Sequence, residues 1–319
     1  MAARTTALST SFRFLAVLCL LVLLSACGSN RSLLRISLND SFCDPALVYT
    51  YDSSHTPRPS IQPVLQANPA LSQRYSQHDL LVANATGTLS LLLELQQLEA
   101  NSQADTRLEQ LTKRQQILHR LLLASSEISS LAAELDCEGE RADQLADYID
   151  QHDTRRVRRL TILSIVVGAI TTVVTTLIQA DTPDKVIGIG GGVASAALGG
   201  LAAFSSQQTV SYQHPRNLLT DIWYQRKTSS VYSPFVWYVL TDPAFSNTGK
   251  RSISVNIRQR WLDYVLPNPS SEQERLFFET GGAYQADDLH TRANMLNQLQ
   301  SSVRSINQNL QGLILTLSR

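Results

Sequence analysis

The sequence predicts an all-α protein built from long helices, and three observations lead to that prediction. Aliphatic residues recur with helical and heptad spacing over two long stretches of the chain. Glycine and proline, 14 and 11 of the 319 residues, are sparse outside a few segments, which favours helix over sheet. Between the two long stretches lie two uncharged segments of helix length, which predict a hydrophobic, glycine-rich helical hairpin.

Residues 1–26 have the features of an export signal. Arg4 and Arg13 precede an apolar run over residues 14–24, which is too short to span a bilayer. The run ends at Leu24-Ser25-Ala26-Cys27, which resembles the lipobox of lipoproteins from diderm bacteria. The resemblance implies that Cys27 carries the lipid and that the signal is removed. Gly28, where inner-membrane lipoproteins tend to have Asp, implies an outer-membrane anchor facing the periplasm.

The cysteines predict one disulfide. Cys19 leaves with the signal and Cys27 is lipidated, so Cys43 and Cys137 remain in an oxidising compartment. We expect these two to pair. Unpaired or intermolecular thiols are the alternative, because the sequence alone cannot show whether the two Cα atoms approach closely.

The N-terminal half of the mature chain divides into two predicted regions. Residues 27–69 are rich in proline and predict an extended, lipidated linker. Residues 70–153 predict long helices, with a break or kink at Glu138-Gly139. The coiled-coil spacing in this region is carried by Ile117, Leu121, Ala124, Ile128, Leu131 and Leu135.

The predicted hairpin occupies residues 154–206. Its apolar segments, 160–178 and 186–204, flank a short polar turn. Small residues recur every four positions in two sets on the second segment, one starting at Gly188 and the other at Gly191. Such sets allow two helices to approach closely. We expect the two helices to pack through Gly168, Gly188, Gly192, Ala196 and Gly200.

Charges bear on how this hairpin meets a membrane. If it crossed the inner membrane, its arginine-rich end would remain in the periplasm, against the positive-inside preference. The hairpin is therefore expected either to be buried in the protein or an oligomer, or to enter a membrane from the periplasmic side. In the membrane case, anionic head groups would contact Arg155, Arg156, Arg158 and Arg159. The alternative is a solvated, charged helix end beside nearby aspartates.

The C-terminal half predicts an aromatic helical region followed by a heptad helix. Residues 207–286 hold all three tryptophans, and Ser233-Pro234 has the pattern of a helix start. Gly281-Gly282 predicts a turn, and Asp287 or Asp288 is expected to cap the last helix, 287–319. We expect its apolar stripe to pack on earlier helices of the same chain: Leu289, Leu296, Leu299, Val303, Ile306, Leu310, Leu313 and Leu317.

No pattern indicates catalysis. The sequence contains no HExxH metal motif, P-loop or GxSxG elbow, so we expect no enzyme, cofactor or metal site. The 27 basic and 27 acidic residues balance, so nucleic acid is not an expected partner. We expect a lipid-anchored envelope protein that acts by interaction, as a homo-oligomer or with an envelope partner. The alternative is a membrane-inserting protein, since the hairpin plan is similar to that of α-helical pore-forming toxins.

Overall fold

The computed structural model describes residues 43–45, 56–100, 106–177, 183–203 and 208–318, with the side chains of 174–177, 183–189 and 203 left out. The predicted signal and lipobox lie outside these residues. The described part confirms the all-α prediction, with one two-stranded β-ribbon added. Its helices are α1 Gln62–Ala67, α2 Pro69–Arg74, α3 Gln77–Ala85, α4 Leu89–Ala100, α5 Thr106–Leu177, α6 Pro183–Ala203, α7 Thr220–Tyr224, α8 Pro234–Thr241, α9 Ile253–Tyr264, α10 Ser271–Phe278 and α11 Ala286–Leu317.

Helix α5 is the axis of the molecule. It runs for 72 residues without interruption, a length of about 108 Å at the usual rise per residue. The residues with coiled-coil spacing are buried, as the periodicity predicts. The predicted break at Glu138-Gly139 is wrong. Gly139 serves close packing instead, because a Cβ atom there would lie 2.9 Å from Oδ1 of Asn297 on α11.

Helix α11 packs antiparallel against α5, which confirms the intramolecular interpretation of the C-terminal heptads. All eight predicted core positions of α11 are buried. Gln300 Nε2 donates to the Ala132 carbonyl at 3.2 Å, and Ser125 Oγ donates to Asn307 Oδ1 at 3.0 Å. The N-cap prediction is corrected, since Gln285 occupies the N-cap position and its backbone N–H donates to Asp288 Oδ2 at 3.1 Å.

The extended prediction is wrong at the end of the predicted linker, 27–69, because helix α1 lies within it and α2 begins at its last residue. Pro63 and Pro69 lie in the first turns of α1 and α2. Proline is tolerated there because a backbone N–H at these positions would have no partner within the helix. The leucine-rich stretch that follows is two helices, α3 and α4. They separate at Gly87, whose φ of +67° is a conformation that glycine adopts without strain.

A disulfide joins the N-terminal segment to α5. Cys43 and Cys137 are disulfide-bonded, with their Cα atoms 5.6 Å apart and a sequence separation of 94. The structure therefore contains the disulfide that the sequence predicts.

The aromatic region forms a compact unit of short helices against α5 and α11. Ser233 caps α8 as predicted, since its side chain accepts a hydrogen bond from the Val236 N–H. Trp223 stacks on Phe278 with ring centroids 4.1 Å apart. The predicted turn at Gly281-Gly282 is wrong, because these residues begin strand β2 (Gly281–Tyr284), which pairs antiparallel with β1 (Val210–Gln213).

Candidate functional site

Burial changes abruptly along α5. Up to Ile149 the helix contributes regularly to the core, but between Ile149 and Val210 none of the described side chains is buried. His290, in the first turns of α11, lies beside Asp143 and Asp150, so α11 covers α5 only up to this level. Beyond it, α5 continues for about 40 Å by helix geometry, with α6 as its main packing partner. Helix α6 and this part of α5 form the projecting hairpin.

Small side chains line the contact between the two helices of the hairpin. Ser164 Oγ donates to the Ser195 carbonyl at 2.8 Å, and Ser195 Oγ donates to the Ser164 carbonyl at 2.9 Å. A Cβ atom on Gly168 would lie 3.2 Å from Ser195 Oγ, and one on Gly191 would overlap the Thr171 side chain. We call this contact the small-residue interface; its members are Ser164, Gly168, Thr171, Gly191, Ser195 and Gly199.

The structure separates the residues predicted to pack the hairpin. Gly168 lies in the small-residue interface, whereas a Cβ atom on Gly192 or Gly200 would meet no atom within 4 Å. Ala196 is exposed, and the surroundings of Gly188 lie outside the described residues. The prediction is thus corrected: the small residues that pack against α5 belong to the set that starts at Gly191, not to the set that starts at Gly188. Gly192, Ala196 and Gly200 form what we call the open stripe.

The large apolar side chains of the hairpin point away from the small-residue interface. Ile165 and Ile170 are 65% and 58% exposed. At 100° per residue, Val173 lies directly opposite Ser164 on α5, and Ile165 and Ile170 lie on either side of Val173. We call this surface the outer apolar face; its exposed members are Ile162, Leu163, Ile165, Val166, Ile170, Val173, Val193 and Leu201.

Among the described residues, no helix is both long enough and apolar enough to cross a bilayer.

Four exposed arginines lie at the base of the projecting hairpin, immediately before its apolar part. We call Arg155, Arg156, Arg158 and Arg159 the arginine cluster. One to two turns closer to the body, α5 carries Asp147 and Asp150, which also face solvent. The sign of the surface charge therefore changes from negative to positive along α5 where the body ends.

His290 lies among three aspartates on α5. Its Nδ1 is 3.0 Å from Asp143 Oδ1, and its Nε2 is 3.4 Å from Asp150 Oδ2 and 4.0 Å from Asp147 Oδ1. The hydrogen bond with Asp143 is the largest cause that raises the pKa of His290. Within the described part of the chain, no group of three or more His, Cys, Asp or Glu residues has the geometry to hold a metal ion.

A buried polar cluster connects the β-ribbon to α5 and α11. Glu138 pairs with Arg141 at 2.9 Å and accepts a hydrogen bond from the Tyr212 hydroxyl at 3.0 Å. Burial, followed by the nearby Arg292 cation, lowers the pKa of His214 to about 2, so this imidazole is neutral. Sequence reasoning missed this cluster, because its members are distant in sequence and belong to no motif.

The Tyr284 hydroxyl determines the tautomer of His214. This hydroxyl donates to the Leu276 carbonyl at 2.5 Å, so it accepts from His214 Nε2, 2.9 Å away. His214 Nε2 therefore carries the proton. These contacts hold β1, β2 and α10 together, which is a structural role.

Comparison with protein-family models, curated proteins and solved structures yields no match to this chain.

Proposed function

We propose that this chain is a lipid-anchored cell-envelope protein that acts as a scaffold and associates with further copies of itself through the projecting hairpin. One observation carries the proposal. The hairpin directs its small and hydroxyl side chains inward and its large apolar side chains outward, so its apolar surface is not covered by the described residues of the same chain.

The exposed apolar surface is larger than chance exposure of single residues explains. Scattered apolar residues are normal on protein surfaces, but contiguous apolar patches mark interaction sites. Here the exposed residues succeed one another over several turns of α5 and continue on α6. The hairpin therefore has the kind of surface that is typical of an interaction site.

The open stripe supports a second copy of the chain as the partner. The hairpin already uses one set of small residues on α6 to bring α5 close, and Gly192, Ala196 and Gly200 repeat that spacing on an adjacent face. In a two-fold symmetric pair, the same stripe meets itself, so both partners offer the small residues that close helix packing needs. The lipidated Cys27 would hold the copies in one plane.

The test measures self-association of the purified lipoprotein in mild detergent by light scattering and chemical cross-linking. Replacing Gly192 and Ala196 with Leu is expected to weaken dimer formation at least about tenfold, because the bulky side chains separate the helices. Gly→Leu also favours helix by roughly 0.8 kcal/mol, so a loss of association would not reflect loss of the helix.

Two further variants separate association from folding of the hairpin. Ala194→Leu enlarges an exposed residue that lies about 160° around α6 from the middle of the open stripe, and it should leave association unchanged. Gly191→Leu overlaps Thr171 and should disrupt the hairpin itself, measured as faster hydrogen exchange of α6. A wild-type protein that is strictly monomeric and cross-links to no envelope partner contradicts the proposal.

A further inference from the structure

We propose that the projecting hairpin binds an anionic lipid bilayer, with its outer apolar face in contact with lipid and the arginine cluster at the head groups. This inference deepens the proposed function, because it names the membrane surface on which the copies would associate. It rests on the proposed function for the covalent lipid on Cys27. It concerns contact with lipid and does not require the hairpin to cross the bilayer.

The polarity of the hairpin fits a lipid environment. In water, the apolar faces of two paired helices pack together and the polar ones face solvent. In lipid, small residues and hydroxyls form the helix contact and large aliphatic side chains face outward. The reciprocal hydrogen bonds of Ser164 and Ser195, with Ile165 and Ile170 pointing outward, correspond to the second arrangement.

The arginine cluster lies on the same side of α5 as the outer apolar face. Arg155 and Arg158 precede Ile162 by seven and four positions, a spacing that places all three along one face of a helix. Guanidinium groups bind phosphate oxygens through two parallel hydrogen bonds. Asp147 and Asp150, closer to the body, repel an anionic surface, so the change of charge sets the depth at which the hairpin stops.

The length of the apolar part is also suited to lipid contact. The segment from Leu160 to the end of α5 at Leu177 is about 27 Å long at the rise of an α-helix, which gives several turns of apolar surface for contact with lipid. An equally long apolar stretch of α6 accompanies it.

The predicted lipid anchor can reach the same membrane. Cys43 is fixed to Cys137, which lies about 27 Å along α5 from Arg155 by helix geometry. The chain from Cys27 to Cys43 spans up to about 55 Å when extended. The anchor and the arginine cluster can therefore occupy one membrane surface, with the body held beside it.

The test uses the mature chain with Cys27→Ser, so that the covalent lipid does not dominate binding, and measures flotation with vesicles. Vesicles of phosphatidylcholine alone are compared with vesicles containing 30% phosphatidylglycerol, at about 0.1 M salt. We expect the protein to float with the anionic vesicles. The fraction bound to neutral vesicles should be at least about tenfold lower, because each arginine near an anionic surface contributes to binding.

Two sets of substitutions test the two parts of the surface. Changing the four arginines of the cluster to Gln should reduce binding to anionic vesicles at least about tenfold. Its control changes four other exposed arginines to Gln and should have little effect: Arg107, Arg251, Arg260 and Arg304. For the apolar part, Ile165→Ser with Ile170→Ser should also abolish flotation, whereas Leu108→Ser with Leu111→Ser, at the far end of α5, should not.

The results separate this inference from the proposed function. Failure of the Cys27→Ser chain to float, or equal binding by the cluster variant and its arginine control, overturns lipid binding. Dimers that form without lipid and do not bind vesicles overturn it as well, and assign the outer apolar face to a second copy. Flotation of a chain that remains monomeric supports lipid binding and contradicts only the proposed self-association.

Discussion

The body and the projecting hairpin are built from the same helix, but they arrange their side chains in opposite ways. In the body, α5 buries Ile117, Leu121 and Ile128 in the core, and its exposed positions hold polar residues together with leucines such as Leu108 and Leu122. In the hairpin, the same helix turns Ser164 and Gly168 inward and leaves Ile165 exposed. Helix formation therefore does not decide what a helix buries. The residues that face the neighbouring helix decide it, and those differ between the two regions.

The largest expected effect tests the body. Replacing both Cys43 and Cys137 with Ser removes a link across 94 positions. In the chain-entropy model, this lowers the free energy of unfolding by about 4–5 kcal/mol. Urea unfolding followed by tryptophan fluorescence measures the change, because all three tryptophans lie in the body. Hydrogen exchange in α6 should remain as in the wild type, and an equal loss of protection there would show that the two regions unfold together.

A pair of truncations compares the two regions directly. Trp261 is fully buried, and Trp261→Ala should cost about 3–5 kcal/mol of folding free energy because it leaves a cavity. Ile165 is mostly exposed, and Ile165→Ala in detergent-free solution should change the free energy of unfolding by less than about 0.5 kcal/mol. Urea midpoints of the two variants provide the measurement. A large cost at Ile165 would show that the outer apolar face is covered in solution.

The smallest effects concern two histidines with opposite pH dependence. His214 in the body has a folded pKa of about 2, so only the unfolded chain takes up its proton as pH falls below its usual 6.5. Stability present above pH 6.5 is thus lost on acidification, by about 2–3 kcal/mol at pH 4.5. His214→Gln keeps an N–H donor for Tyr284 and should reduce this loss, measured by urea midpoints from pH 7 to 4.5.

His290, near the base of the hairpin, should act in the reverse direction. Its pKa is raised by Asp143, so its contribution is fully present below pH 6.5 and is lost as pH rises through the folded pKa. The effect is small because the side chain is 41% exposed. His290→Gln should lower the urea midpoint at pH 5.5 more than at pH 8.5, and the same shift at both pH values would contradict this role.

Much of the fold could be predicted from periodicity, because helix faces repeat at a fixed interval. The heptads of α11 and the coiled-coil positions of α5 identify their buried residues correctly. The cap at Ser233 and the helical hairpin also follow from local patterns. Turns and breaks were predicted less well. Gly139 and Gly281-Gly282 indicate breaks by composition, yet one glycine permits close helix packing and the other two form part of a strand.

The candidate site shows the same limit. The sequence shows two sets of small residues on α6 with equal spacing, and nothing local distinguishes them. The structure selects the Gly191 set, because it places Ser195 opposite Ser164, where both hydroxyls find carbonyl partners. Gly192, Ala196 and Gly200 are left open as a result.

By itself, the sequence determined the long helices, the hairpin and the positions of the arginine cluster, since each depends on residue type and spacing along one segment. It named Cys43 and Cys137 as candidates for a disulfide, but tertiary structure brought them together. Tertiary structure alone decided which face of α6 meets α5, where α11 stops covering α5, and how the β-ribbon joins the buried cluster around His214. These features depend on contacts between residues far apart in the chain, and such contacts leave no periodic signal in either segment.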